Sequence, residues 1–189
     1  MKKILFLLSH TEKGGGEVVA FTLAKYLDRS RFRVYVGHVD YREGRFINEF
    51  SSLGLNPVNF QARRLRNVFN VCAVVLRIRS FIRKERIDLI FCTGAHNQIY
   101  EWLVRCIIPV KILTYAMNYY DPRYYYNRLI LKVGLMLAPN GYCVPSRICY
   151  DSLIQLVSPK IPVRLIYHGI DLDALKSEGT CSSQSIRQK

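Results

Sequence analysis

The 189-residue chain predicts a doubly wound α/β domain, a mainly parallel sheet with helices on both faces. Three observations lead there. Short apolar runs rich in β-branched residues alternate with stretches of helical period from end to end. Most of those runs are almost continuously hydrophobic, as strands covered on both faces are. The length suits one domain, which buries roughly 70% of its unfolded surface and needs no disulfide or metal staple.

The elements follow in order. Strand one is predicted over 3–8 and runs into Gly14-Gly15-Gly16-Glu17. A helix comes next, with Ala20, Leu23, Ala24 and Leu27 at i, i+3, i+4 and i+7, one buried face. Strands two and three are predicted over 33–39 and 57–60. The third helix repeats the spacing with Val68, Val71, Cys72 and Val75, extended by Ile78 and Ile82. Strand four (88–92) feeds a helix over 97–107, and strand five (110–116) feeds one over 123–137. Strand six (141–144) leads to a helix over 146–157, and strand seven is predicted over 163–167. From Lys176 to Gln184 the residues are small, polar and unpatterned. That composition reads as a linker, so the domain is expected over 1–175, with 176–189 leading into a second domain.

Composition narrows the partners. With 28 Lys and Arg against 14 Asp and Glu, the net charge is 28 − 14 = +14. Such an excess favours an anion, whether nucleic acid, membrane surface or phosphorylated small molecule, and serves solubility equally well. The six cysteines form no C-x-x-C pair and no zinc-spaced Cys/His cluster. They read as buried free thiols of a reducing compartment, with no metal site. The opening Met1-Lys2-Lys3 has the charge order of a signal peptide, but its apolar run is short and lacks a cleavage site. No run reaches the ~18 apolar residues of a membrane span, so a soluble, cytoplasmic chain is expected.

In doubly wound sheets, ligands sit beyond the carboxyl ends of the strands, where strand order reverses. The loops after strands one, four and five are therefore the candidates. Gly14 to Gly16 can turn tightly and aim backbone N–H groups at an anion, helped by the following helix N-terminus. The same glycines serve equally as a chain-reversing turn. Neither G-x-G-x-x-G nor a Walker pattern is present. His96, after strand four, can hydrogen-bond a substrate hydroxyl or phosphate, although Thr93 or Asn97 there could simply cap a helix. After strand five comes Asn118, with His96 a candidate catalytic residue, and it opens a tyrosine-rich loop whose Tyr119 and Tyr120 are suited to stacking on sugar rings or meeting a membrane interface. Some of those tyrosines must pack the next helix. Arg77, Arg79, Arg83 and Lys84 make the third helix basic, as a helix lying on anionic lipid would be. Cations in its last turn also balance the helix dipole. Nucleic acid is disfavoured, because the basic residues are not interleaved with exposed aromatics and no recognition motif occurs.

Four features, in order and spacing over 1–175, resemble the N-terminal domain of family 4 glycosyltransferases. Gly14-Gly15-Gly16-Glu17 is similar to that family's Gly-Gly-Ala-Glu after strand one. Asp88 to Cys92 leads to Ala95-His96-Asn97, as a family strand often ends near a histidine loop. Gly141 to Val144 precedes Ser146, like the strand-then-serine that opens the family's sixth helix. Ile166-Tyr167-His168-Gly169-Ile170-Asp171 is close to the family's Asn-Gly-Ile-Asp.

The resemblance implies a Rossmann-like domain, the N-terminal, acceptor-side half of a GT-B fold. It implies transfer from a nucleotide-sugar with retention of configuration, usually without a metal and with no cofactor besides that co-substrate. The donor would be held by a C-terminal domain or partner subunit, and the acceptor would be a glycan or lipid-linked. Gly14, Gly15, Gly16 and Glu17 would face phosphate or acceptor. The isolated chain is then expected to lack full activity, and to sit in the cytoplasm, peripherally on the inner face of a membrane. The alternative is a non-catalytic or split-enzyme module docked on a membrane. One departure stands out: the family usually places a sugar-contacting histidine after strand five, where this chain has Met117, which cannot donate that hydrogen bond.

Overall fold

The computed structural model describes residues 1–40, 44, 46–62, 68–93, 98–120 and 140–169. The predicted helix over 123–137 and the linker over 176–189 lie outside them. Seven strands are present: β1 (Lys2–Leu8), β2 (Phe32–Asp40), β3 (Val58–Ala62), β4 (Leu89–Thr93), β5 (Lys111–Tyr115), β6 (Gly141–Val144) and β7 (Val163–Leu165). They coincide with the seven predicted runs to within one or two residues at each end. The sheet order is β3-β2-β1-β4-β5-β6-β7, and every pairing is parallel.

The described helices are α1 (Gly15–Tyr26), α2 (Ile47–Ser52), α3 (Val68–Glu85), α4 (Gln98–Ile107) and α5 (Arg147–Ile154). Side chains alternate across a strand, and β1 shows the consequence. Ile4, Phe6 and Leu8 pack with Ala20 and Ala24 of α1 and Phe50 of α2. Leu5 and Leu7 face the other way, onto Val74, Ile78 and Ile82 of α3 and Val104 of α4. Both faces are covered, which is why the strand reads as unbroken hydrophobe. A smaller cluster seats Cys149 and Leu153 of α5 on Tyr142 and Val144 of β6.

Three predicted details are corrected. The buried face of α1 is Gly16, Glu17, Ala20 and Ala24, while Leu23 is 39% exposed and lines an outer groove. In α3 the buried stripe is Val74, Val75, Ile78 and Ile82, with Val71 partly buried and Cys72 exposed. Of the cysteines, Cys92, Cys143 and Cys149 are buried, but Cys106 is exposed like Cys72. Cys181 lies outside the described residues.

Among the described residues no helix is long and apolar enough to cross a membrane, and no metal-binding cluster occurs. The order reverses between β1 and β4, both neighbours of which lead outward to opposite edges. A ligand crevice is expected at the carboxyl ends of these two central strands.

Candidate functional site

The loop leaving β1 is clipped in place. The backbone N–H of Asp40 donates to Ser9 O at 3.1 Å, and that of Phe46 to Thr11 O at 3.0 Å. Gly44 donates its N–H to the buried Thr11 hydroxyl. A Cβ on Gly44 would collide with the Thr11 and Glu12 backbone, so only glycine allows this approach. A cavity of about 200 Å³ remains, lined by His10, Thr11, Glu12, Asp40 and Gly44.

Gly14 is the N-cap of α1 and offers no side-chain cap. The N-terminal N–H groups of α1 are therefore available to a ligand. Glu17 takes part of that role itself. Its carboxyl is buried, bonds its own backbone N–H, and folds back over Gly14. His10 Nδ1 lies 3.7 Å from Glu17 Oε1. Burial raises the Glu17 carboxyl above its ordinary range, opposed by that N–H and by His10. A carboxyl thus already sits where an arriving anion would.

Gly16 presses against the ends of β4 and β5. A Cβ there would stand 3.0 Å from Met117 Cε and 3.2 Å from Thr93 Cβ. The structure so brings together the start of α1, Thr93 at the end of β4 and Met117 just after β5. Asn118 and Tyr119 are exposed beside them. Tyr120 is not available for stacking: its ring is buried with Tyr142, Val144 and Leu153, and its N–H donates to Ser152 Oγ at 3.3 Å. His96 and Asp171 lie outside the described residues.

Behind the crevice, Tyr115 at the end of β5 has its hydroxyl 3.1 Å from His168 Nδ1. Burial, with Cys143 and Cys149 nearby, pushes that hydroxyl up to about 12. The pair fixes the chain after β7. Beneath β4 and β5, Glu101 is fully buried and accepts from the Thr114 hydroxyl at 2.8 Å. Burial pushes its carboxyl up to about 7, while Thr114 and the Cys92 thiol pull it down.

The four basic residues of α3 do not form one surface. Arg77 donates to Phe60 O at 3.0 Å, tying helix to edge strand. Arg79 is half-buried, whereas Arg83 and Lys84 are exposed in the last turn. Sequence reasoning missed His10, Thr11, Gly44 and Glu101. The polar break at Ser9-His10-Thr11 marks the end of β1 and could have flagged the first two. Gly44 carries no such signal, because its partner is distant in sequence.

A family profile described as Glycosyltransferase Family 4 matches residues 13–174. No curated protein sequence matches the chain. The fold is similar to solved glycosyltransferase structures. HepE of Anabaena, solved in complex with UDP-glucose, aligns with TM-score 0.74 at 18% identity, covering 97% of this chain and 51% of HepE. A glycosyltransferase of Rickettsia africae gives 0.73 at 16% identity, covering 98% and 50%. Sucrose-phosphate synthase of Thermosynechococcus elongatus gives 0.70 at 16%, covering 92% and 49%. The chain thus spans about half the length of each of these.

Proposed function

The chain belongs to glycosyltransferase family 4, and from that premise we propose that it is the acceptor-side half of an enzyme transferring a sugar from a nucleotide-sugar with retention of configuration. The observation that supports this most is the convergence of Gly16, Thr93 and Met117 at the reversal of strand order. There a glycine turn, a helix N-terminus and two strand ends meet. The UDP and UDP-glucose bound by HepE favour a nucleotide-sugar as donor. A C-terminal domain or a partner subunit would supply the rest of the donor site.

In this reading the backbone N–H groups of Gly15 and Gly16 face the leaving diphosphate or the acceptor. Fixed N–H dipoles that meet charge as it develops stabilise a transition state without reorganising. Glu17 occupies the same spot, so it must take up a proton or accept a hydroxyl when an anion arrives. Its burial makes proton uptake the easier of the two. His96, Asn118 and Tyr119 are assigned to the acceptor, a glycan or lipid-linked glycan. Arg83 and Lys84, free of the sheet edge, are the α3 residues that would meet an anionic membrane. Met117 favours a second reading, a non-catalytic or split module, because a thioether cannot replace a histidine N–H.

The test is to isolate the protein from its own cells with whatever co-purifies. It is then supplied with nucleotide-sugars and glycan or glycolipid acceptors, and the product's anomeric carbon is examined by NMR. A product with the donor's anomeric configuration supports the proposal. An inverted product removes retention, and no product from any pairing favours the second reading.

A further inference from the structure

The edge strand β3 covers only part of its neighbour. β2 begins at Phe32, but its pairing with β3 begins at Gly37, beside Val58. The cause is local. Gly54 takes φ +71° and turns the chain off α2, and Leu55 is drawn into the core beside Phe50. Phe32 to Val36 thus form about 13 Å of strand edge that, among the described residues, no second strand covers.

The register fixes which peptide groups face outward. Lys2 donates its N–H to Arg31 O at 2.9 Å, so along β2 the groups of Arg33 and Tyr35 point to β1. Those of Phe32 and Val34 point the other way. The Phe32 N–H is taken by Asp28 O at 2.9 Å. That leaves Phe32 O, with the N–H and O of Val34, toward a cavity of about 470 Å³ that Phe32 to Val36 line along one side. The volume falls within the ~300–1,000 Å³ of ligand sites.

The two walls of the cavity differ in chemistry. On the α1 face stand Phe32 and Leu55, both apolar. On the α3 face stand Arg33, Tyr35 and Phe81. The Arg33 guanidinium lies 5.4 Å from the Tyr35 ring centre, and Tyr35 meets Phe81 edge to face at 5.8 Å. Glu85 on that face accepts the Tyr35 hydroxyl at 3.0 Å. Arg29 lines the cavity as well, exposed, with its Nη2 donating to Ala24 O at 2.7 Å.

We propose that this edge is a docking slot for an extended acidic peptide of a partner protein, which adds as a short strand in line with β3. Main-chain bonds to Phe32 O and Val34 supply the affinity, and alternate side chains supply the specificity. One set is apolar and lies against Phe32 and Leu55. The other carries carboxylates toward Arg33. A second copy of this chain is a poor occupant, because basic edges on a chain of net charge +14 repel one another. The slot lies at the amino ends of the strands, away from the crevice at their carboxyl ends, and stands whether or not the crevice transfers sugar.

The test titrates the full chain, labelled for NMR, with a short peptide of alternating valine and glutamate blocked at both ends. The Val34 amide is expected to shift, and at saturation to exchange with deuterium about 10-fold more slowly. Two further peptides carry N-methyl groups on one or the other alternating set of amides. A strand added to an edge turns one set inward, so one version loses at least about 10-fold in affinity and the other keeps it. Arg33→Glu weakens binding about fivefold, while Arg147→Glu, an equal charge change on α5, stays within about twofold. Circular dichroism verifies that both variants are folded. An unmoved Val34 amide would overturn the proposal, as would equal effects of the two methylation patterns or equal losses in the two variants. A DNA or RNA oligonucleotide that moves the same amide would overturn it too, since the edge would then take phosphate.

Discussion

The Met117 methyl closes over Gly16: Met117 Cε is 3.0 Å from the point where a Cβ on that glycine would stand. Thr93 Cβ closes the same space at 3.2 Å. A methyl group can be admitted if the flexible methionine yields, and alanine gains about 1 kcal/mol of helix propensity over glycine. Gly16→Ala is therefore expected to leave urea stability nearly unchanged. Gly16→Val adds bulk against Thr93 as well, and should cost about 1–3 kcal/mol. Equal midpoints for the two variants would count against this packing.

Glu17 couples the crevice to pH. Its carboxyl is raised by burial in the free protein, and an anion at the start of α1 would raise it further. The complex then holds more protons than the free chain. Nucleoside diphosphate should bind more tightly as pH falls through the acidic range, and Glu17→Gln should flatten that dependence. Calorimetric titration at several pH values checks the slope. Identical slopes for wild type and variant would remove the coupling.

Glu101 makes an opposite kind of claim, about stability. Its folded value of about 7 exceeds the ordinary 4.5, so the folded state binds the proton more strongly than the unfolded state. Its favourable contribution is complete below pH 4.5 and is lost as pH rises through about 7. The decline amounts to about 3 kcal/mol. Glu101→Gln keeps an acceptor for Thr114 without the charge, and should unfold with a flatter pH profile between 5 and 8. Parallel profiles would contradict this account of the buried carboxyl.

Gly37 in β2 lies beneath the Phe60 ring, where an added Cβ would come within 2.5 Å of Phe60 Cε2. An aromatic ring in a packed core has little freedom to retreat. Gly37→Ala should cost about 1–3 kcal/mol, read from chemical denaturation. A neutral effect would mean the ring moves freely.

Much of the sheet was legible in the sequence because its strands are buried on both faces, and β1 is the clearest instance. Leu23 was harder. It obeys the helical spacing, yet it turns toward an outer groove with Tyr115 and Ile166, since the small Ala20 and Ala24 bring α1 close to the sheet. Cys72 failed for a similar reason, as α3 rotates to place Val74 and Ile78 inward. In the site, the glycine turn announced its position, because consecutive glycines after a strand are a local signal. Tyr120 did not announce its burial, which depends on α5. Glu101 was invisible as well, because a carboxyl among apolar residues looks like a surface position until Thr114 and Cys92 are placed beside it.

The central claim is that sugar transfer depends on the crevice where Gly16 meets Thr93 and Met117. The most direct measurement compares nucleotide-sugar turnover by the protein isolated from its own cells, as wild type and as Gly16→Leu. A leucine there would be forced against Met117 and Thr93 and displace them, so turnover should fall at least about 100-fold, as misplacing a reacting group does, with the circular dichroism spectrum unchanged. Equal turnover by a folded Gly16→Leu variant would contradict the claim.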